Sequence, residues 1–430
     1  MSDASSDSGV DGRVLRVLIA GQGYVGLPLA MAAVQAGHQV VAYEPDRERC
    51  RRLREADSYV EDVPCRQLRT ALASRRYFPV SDPVALNPGW DVAVIAVPTP
   101  LRDGMPDLGH VRAAGSLLAR GLIRGQAQTV VLESTTHPGT TRNVLIPLLE
   151  EASGLTAGED FHAGYSPERI DPGNREWTFA NTPKVISGLT PDCVARVRAF
   201  YRTVTATVHE AGTLESAELA KILENTFRHV NIALVNELAR FAHTLDIDLW
   251  DALRLAETKP FGYMKFTPGP GVGGHCLPVD PVYLSHHVRT TLGESFRFVE
   301  LAQDINEQQP AYVVRRLQDG LNARGKPLKG STIAALGLSY KPGSSDVRQS
   351  PARVAIDILR AKGAVVTVVD PHAAATEPGV LGEMDPAGDY DAVLILTAHP
   401  EFDLGKVVAE APYVLDTRGV APAGSSVERL

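Results

Sequence analysis

The run Gly269-Pro270-Gly271-Val272-Gly273-Gly274-His275-Cys276-Leu277-Pro278-Val279-Asp280 sets a thiol among glycines, with a carboxylate four residues further on. Glycine lets the backbone take positive φ and approach a ligand closely, so a cysteine on such a loop is a candidate nucleophile. The plain alternative is a small buried apolar side chain, the usual state of a free cysteine. Other groups with chemistry to offer lie far away in the chain. Lys221 and Asn225 are four apart in a helical stretch and therefore share a face. Glu168, in Ser166-Pro167-Glu168-Arg169, follows the strand-like segment 161–165. Thr135 and Thr136 follow the apolar run 129–133, at the end of a strand where ligands collect in a parallel sheet. For an isolated lysine a solvated helix surface is the ordinary reading, and spacing alone does not bring these segments together.

The elements that must position them are readable as patterns. Apolar, β-branched runs at 14–20, 39–44, 91–97, 129–133 and 184–187 alternate with helical stretches. That alternation predicts a parallel sheet covered on both faces. Residues 212–245 predict one long helix, with Leu219, Ile222, Leu223, Phe227, Val230, Leu234, Leu238 and Phe241 at helical spacing and no proline. Such a helix spans roughly 45–50 Å, the length of a spine between domains or of a dimer contact. A second helical stretch covers 294–322. Beyond the turn Arg324-Gly325-Lys326-Pro327, runs at 332–338, 364–369, 391–397 and 413–415 restart the alternation. The expected fold is α/β: two Rossmann-like, doubly wound parallel-sheet domains joined by a central helical dimerisation region. The expected boundaries are a disordered tail at 1–12, a first domain at 13–210, the helical part with the cysteine loop at 211–323, and a last domain at 324–430.

After the first strand comes Gly21-Gln22-Gly23-Tyr24-Val25-Gly26, followed by the helical LPLAMAAVQ. Between strand and helix, these glycines permit a tight turn, close pyrophosphate approach and close helix–strand packing. The helix N-terminus then faces the phosphates. Glu44 ends the next strand, where a carboxylate accepts from ribose hydroxyls and repels a 2′-phosphate. NAD is therefore expected over NADP, with Arg47, Arg49, Arg51 and Arg52 as the competing feature, since one of them is able to hold a 2′-phosphate.

Composition narrows the partners. The 430 residues carry a formal charge of −8 and are 44% hydrophobic and 22% charged, as expected of a soluble globular protein. The pI near 5.9 argues against nucleic acid as the main partner. No window is apolar for about 18 residues, so no membrane span is expected. The four cysteines (Cys50, Cys65, Cys193 and Cys276) have no CxxC spacing, so neither a disulfide framework nor a metal site is expected and a cytoplasmic setting fits.

Taken in order, GQGYVG, AVPTPL (96–101), ESTTHPGTTR (133–142), YSPERIDPGN (165–174), ELAKILENTFRHVNIALVNELA (218–239), TKPFGYMKFTPGPGVGGHCLPVDP (258–281) and SYKPGSSDVRQSP (339–351) resemble the UDP-glucose/GDP-mannose dehydrogenase family of nucleotide-sugar 6-dehydrogenases. The resemblance runs from about residue 14 to 419. It implies oxidation of a sugar C6 alcohol to a carboxylate with two NAD in turn, through a thiohemiacetal and a thioester on Cys276. By the same resemblance, Glu168 is the base for thioester hydrolysis, Lys221 and Asn225 stabilise oxyanions, Asp280 positions or deprotonates a water or Lys221, and Thr135 positions water or substrate. It also assigns the cofactor to Gly21, Gly23, Tyr24, Val25, Gly26, Glu44, Arg49, Thr99, Thr135 and Arg348. The UDP-sugar falls to Glu168, Arg169, Lys221, Asn225, Phe261, Tyr263, Gly273 and Lys341, and a homodimer or higher homo-oligomer is implied. Val279 and His275, in place of a lysine and a serine in the glucose branch, are more similar to enzymes of UDP-N-acetylhexosamines, UDP-N-acetylglucosamine in particular. UDP-glucose and UDP-N-acetylmannosamine are the alternatives. His275 is read as a structural imidazole. Gly343, Ser344 and Gln349 depart from the family pattern but leave the KPxxxDxRxSP frame intact. A two-electron β-hydroxyacid dehydrogenase, which has no need of Cys276, and a non-catalytic nucleotide-sugar sensor are the competing classes.

Overall fold

A computed structural model of the chain describes residues 13–430 apart from 87, 88, 172, 173, 175, 275, 276, 386 and 387. Cys276, His275 and the tail 1–12 therefore lie outside the described residues. The chain divides into two compact units, Met1–Leu223 and Glu224–Leu430.

The first unit is built on β1 (Arg16–Ala20), β2 (Gln39–Tyr43), β3 (Tyr77–Val80), β4 (Val92–Ile95), the small hairpin β5 (Leu101–Arg102) and β6 (Met105–Pro106), β7 (Thr129–Leu132), β8 (His162–Tyr165), β9 (Lys184–Gly188) and β10 (Val208–Glu210). Eight of these form one sheet in the order β10-β9-β8-β7-β4-β1-β2-β3. Successive residues of β1 serve opposite cores: Val17 and Ile19 pack with one buried cluster, Leu18 and Ala20 with the other. Burial on both faces is why these strands read as continuous apolar runs. One pair departs from the expected all-parallel pattern, since β8 and β9 are antiparallel. A parallel return needs a crossover element, and the connection between them carries no helix among its described residues.

The second unit carries β11 (Thr332–Leu336), β12 (Val365–Val369), β13 (Val380–Leu381), β14 (Ala392–Ile395), β15 (Val414–Asp416) and β16 (Val427–Arg429). All neighbours are parallel in the order β13-β12-β11-β14-β15-β16, the strand order of a doubly wound dinucleotide fold. Here too β11 alternates, with Ile333 and Ala335 in one core and Ala334 and Leu336 in the other.

Along the chain, the helical region follows the first set of strands and precedes the second. The long helix is Leu214–Thr244, followed by Leu249–Glu257, Asp280–Leu292 and Arg297–Ala323. Leu219, Leu223, Phe227, Leu234, Leu238 and Phe241 are exposed on the long helix, whereas Ile222 is buried. The apolar stripe read from the sequence is thus mainly an outward face.

Candidate active site

In the first unit the sheet register fixes the cofactor cradle. Ala20 lies opposite Tyr43 in the β1–β2 pairing, so the glycine loop and Glu44 emerge side by side. Each glycine has its own reason. At Gly21 φ is +93° and a Cβ would meet the Ala96 carbonyl carbon at 2.9 Å. A Cβ on Gly26 would collide with the Gly21 carbonyl oxygen and crowd Ile19. Gly23 has nothing within 4 Å of that position, leaving space on the side where a ligand approaches. The helix Gly26–Gln35 has no side-chain cap and no acid in its first turn, so its terminal N–H groups suit a phosphate. Glu44 is buried, and its Oε2 accepts from the Gln22 N–H at 3.3 Å while Oε1 accepts from the Asp46 N–H at 3.1 Å. These residues fit an NAD. Tyr24 and Val25 are partly buried, and Thr99 is buried.

Of the competing arginines, Arg51 pairs with Glu48 and Glu55, and Arg52 with Asp57. The Arg49 guanidinium lies over the Tyr59 ring at 5.3 Å, and Tyr59 Oη donates to the Gln22 carbonyl at 2.8 Å. Arg49 is thereby linked to the glycine loop through Tyr59.

Two of the candidate polar groups of this unit form a buried ion pair. Lys221 Nζ donates to Glu168 Oε2 at 3.1 Å, with both side chains almost fully buried. Glu168 Oε1 also accepts from the Ile170 N–H. Lys221 is therefore not the solvated helix lysine that its sequence position alone suggested. Arg169 points its guanidinium at the Pro183 carbonyl, 2.7 Å away, and Thr135 is partly buried after β7.

Two carboxylates here escaped the sequence reading. Glu133, fully buried, bonds Lys184 and accepts from Tyr201 Oη at 2.7 Å. Glu218 sits one helical turn before Ile222 and is fully buried. It accepts from the Gly139 N–H at 2.6 Å, the Thr141 N–H at 2.8 Å and Thr141 Oγ1 at 2.7 Å. Burial raises its pKa to about 7 against the opposing pull of those donors. The signal was present, since a carboxylate three residues before Lys221 falls on the same helix face.

In the second unit, Asn225 Nδ2 donates to Asp280 Oδ2 at 2.6 Å, again between buried side chains. Asp280 opens the helix Asp280–Leu292, where a negative charge is favoured by the helix dipole. Val279 before it is almost fully buried. Lys341 is partly buried, whereas Arg348 is turned to its neighbour, donating Nε and Nη2 to the Asp346 carboxylate at 2.9 and 2.6 Å. Phe261 is 70% exposed beneath Lys259, and Tyr263 is exposed. The structure does not gather these two rings into a buried pocket. Gly273 leaves room for Tyr340 and Pro351, whose atoms lie 2.7 and 2.8 Å from where a Cβ would stand.

Arg418 was also missed. It follows β15, and a Cβ on Gly269 would collide with its Nη1. Burial lowers its pKa, opposed by the Asp416 charge. Asp416 spends its oxygens on the N–H groups of Arg418, Gly419 and Ala421. Among the described residues the Arg418 guanidinium has no hydrogen-bond partner, which makes it a candidate for an anionic or carbonyl-rich ligand beside the cysteine loop. Its place at the carboxyl end of a parallel strand was the available signal.

One cluster resembles a metal site. His372, His399 and Glu401 place ligand atoms within 4.8 Å of one another. The Gly343 N–H donates to His399 Nδ1 at 3.2 Å, which puts the proton on Nε2, and Nε2 faces Asp370 at 3.1 Å. Both nitrogens of His399 are thus engaged within the protein.

Comparison with known proteins bears on the whole chain. Residues 15–205 match the UDP-glucose/GDP-mannose dehydrogenase family's NAD binding domain, 215–308 its central domain and 334–423 its UDP binding domain. The chain is 35% identical to a UDP-N-acetyl-D-glucosamine 6-dehydrogenase of Pseudomonas aeruginosa, across 94% of this chain and 97% of that protein. It is 34% identical to a UDP-N-acetyl-D-mannosamine dehydrogenase of Pyrococcus horikoshii, across 90% of each. The solved structure of UDP-D-ManNAc dehydrogenase from Pyrococcus horikoshii superposes with a TM-score of 0.87 at 31% identity, covering 96% of this chain and 99% of that one. With a glycine cradle and second-strand carboxylate suited to NAD, the chain belongs to the UDP-glucose/GDP-mannose dehydrogenase family and is an NAD-dependent oxidoreductase.

Proposed function

We propose that this enzyme oxidises the C6 hydroxyl of a UDP-N-acetylhexosamine, UDP-N-acetylglucosamine first among them, to the carboxylate. The observation that carries the reading is the pair of buried polar contacts, Lys221–Glu168 and Asn225–Asp280. Buried charge of this kind is costly unless it is paired, and in a dehydrogenase it serves the developing charge on a reacting oxygen. NAD, when bound against Gly21, Gly23, Gly26 and Glu44, supplies the hydride acceptor.

The roles of the chain's own groups follow from their chemistry. Lys221 and Asn225 donate to the oxygen on C6 as negative charge grows there. Cys276 adds its sulfur to the C6 aldehyde, giving a thiohemiacetal that keeps the aldehyde bound. Loss of the second hydride leaves a thioester. Glu168 takes a proton from water, water adds to the thioester carbonyl, and the carbon–sulfur bond breaks to release carboxylate and thiol. Asp280 orients Asn225 and holds a proton-accepting position beside it. Overall, one alcohol and one water yield one carboxylate, with two NADH formed.

The three matched segments support a division of labour: cofactor binding at 13–210, a helical centre at 211–323 and UDP-sugar binding at 324–430. The exposed apolar stripe of Leu214–Thr244 supports a homodimer formed along that helix. UDP-N-acetylglucosamine is favoured by the 35% identity to the Pseudomonas aeruginosa enzyme and by Val279, an apolar neighbour of Asp280 compatible with an acetamido methyl. The Pyrococcus relative favours UDP-N-acetylmannosamine as the second reading.

The test is an NADH-release screen across UDP-glucose, UDP-N-acetylglucosamine, UDP-N-acetylmannosamine, UDP-N-acetylgalactosamine and GDP-mannose. Two NADH per UDP-N-acetylglucosamine is the expected result. One NADH per sugar, or no turnover with any of the five, removes the reading.

A further inference from the structure

We infer that Asn236, working through Asn306, is a positioning residue for the cysteine loop; the inference rests on Cys276 being the nucleophile. Both asparagines are buried, Asn236 completely so. Asn236 lies on the long helix Leu214–Thr244 and Asn306 on Arg297–Ala323. Asn236 Oδ1 accepts the N–H of Gly269, the first glycine of the loop, at 3.0 Å. Its Nδ2 donates to Asn306 Oδ1 at 2.9 Å, and Asn306 Nδ2 donates to the His229 carbonyl at 3.3 Å. The loop's first peptide is thus tied to two helices by a chain of three hydrogen bonds with no solvent to replace them.

The next contact uses a proline. Pro310 lies inside the helix Arg297–Ala323 and has no N–H to give the carbonyl four residues back, which belongs to Asn306. Gly271 sits against that carbonyl. A Cβ there would stand 3.1 Å from the Asn306 oxygen, 3.7 Å from Pro310 Cδ and 3.0 Å from Pro351 Cβ, and its φ of +132° already demands glycine. On the far side, the Gly274 N–H donates to the Arg348 carbonyl at 3.1 Å, and Gly273 and Gly274 fit over Tyr340. Residues 269–274 are held at both ends before the chain enters Cys276. Asn236 fixes the end that no other side chain bonds among the described residues.

A nucleophile displaced by about 1 Å loses on the order of 100-fold in rate even when binding is intact. Asn236→Leu keeps the size of the side chain and removes both hydrogen bonds, so kcat should fall roughly 10- to 100-fold while KM for NAD stays within about twofold. Asn236→Asp keeps an acceptor for Gly269 but sets an oxygen against Asn306 Oδ1 in place of the donor, so it should recover part of kcat. The alkylation rate of Cys276 by iodoacetamide, followed peptide by peptide across pH, should change in Asn236→Leu and return toward wild type in Asn236→Asp. Turnover and alkylation both within twofold of wild type in Asn236→Leu overturn the inference. So does an equal loss in kcat and in affinity for NAD, or an Asn236→Asp variant no better than Asn236→Leu. Where Asn236→Leu lacks the wild-type circular dichroism, Asn306→Ala is judged by the same kcat, KM and alkylation criteria. Cys276→Ala is assayed alongside: undiminished acid formation by that variant defeats the nucleophile reading itself, whatever Asn236 does.

Discussion

His229 should make the stability of this protein depend on pH in a way that one substitution removes. It is 1% exposed on the long helix, one turn after Asn225, and among the described residues neither ring nitrogen has a hydrogen-bond partner. Burial pushes its pKa down from an ordinary 6.5 to about 4. A histidine with a depressed folded pKa takes up its proton more readily when unfolded, so its contribution is intact above pH 6.5 and is lost as pH falls toward 4. With those two values the loss is about 1.4 kcal/mol at pH 5.5 and about 2.5 kcal/mol at pH 4.5. His229→Leu has nothing to protonate. It also removes two buried unsatisfied nitrogens, each a liability of about 1–3 kcal/mol, so at pH 7.5 it should be as stable as the parent or slightly more so. The assay is urea unfolding of both proteins at pH 7.5, 5.5 and 4.5, reading the difference between them so that all other titrating groups cancel. The variant's advantage should widen by about 2.5 kcal/mol between pH 7.5 and 4.5. A difference constant to within about 0.5 kcal/mol over that range would refute the buried neutral imidazole.

Other expectations follow from the same contacts. Cys276→Ala should abolish net acid formation, measured by chromatography of the sugar product, while NAD and UDP-sugar binding stay within several-fold by calorimetry. Glu44→Ala should raise KM for NAD about tenfold and narrow its advantage over NADP; equal wild-type rates with NADP and NAD would contradict the assignment of Glu44. Glu218, raised by burial to about 7, has the opposite sign to His229. Its contribution is present below its ordinary 4.5 and is lost as pH rises through 7. Glu218→Gln should therefore gain on wild type as pH rises from 5 to 8 in thermal unfolding, and parallel curves would count against it. Leu234→Glu with Leu238→Glu should halve the mass measured by light scattering, and an unchanged mass would place the self-association surface elsewhere.

How much of this was legible depended on whether the signal was local. The glycine loop, Glu44 and the long helix are short-range patterns, and each took the place expected of it. The pairing of Glu168 with Lys221, 53 residues apart, and of Asn225 with Asp280, 55 apart, is a product of sheet order and helix packing that no spacing rule encodes. Nor did the sequence show that Asn236 faces Asn306, or that Arg418 comes up against Gly269. Polar residues in a helix read as surface until the tertiary structure buries them. The long helix reads from its length and apolar spacing as a spine or a dimer contact, and the single chain leaves most of that stripe open to solvent.

The two sheets show why fold alone does not give function. Six strands of the first sheet, β3-β2-β1-β4-β7-β8, run in the same order as the whole second sheet, and in both a carboxylate follows the second strand in sequence, Glu44 after β2 and Asp370 after β12. The difference lies in the free lone pairs. Glu44 accepts one N–H on each oxygen, leaving capacity for the two hydroxyls of a ribose. Asp370 Oδ1 accepts from the N–H groups of His372 and Ala373, and Oδ2 from those of Leu338 and Ser339 and from His399. Burial alone would raise its pKa, but His399 and the N–H groups of Ser339 and Ala373 hold it well below the usual carboxylate range. Five donors exhaust a carboxylate. The loop after β11 reads Gly337-Leu338-Ser339-Tyr340-Lys341-Pro342 and enters its helix only at Pro351, so no helix N-terminus stands where a pyrophosphate would lie. The second sheet keeps the architecture of a dinucleotide domain while its ribose acceptor is spent on holding loops. That frees the segment 339–351 to set Tyr340 and the Arg348 carbonyl against Gly273 and Gly274.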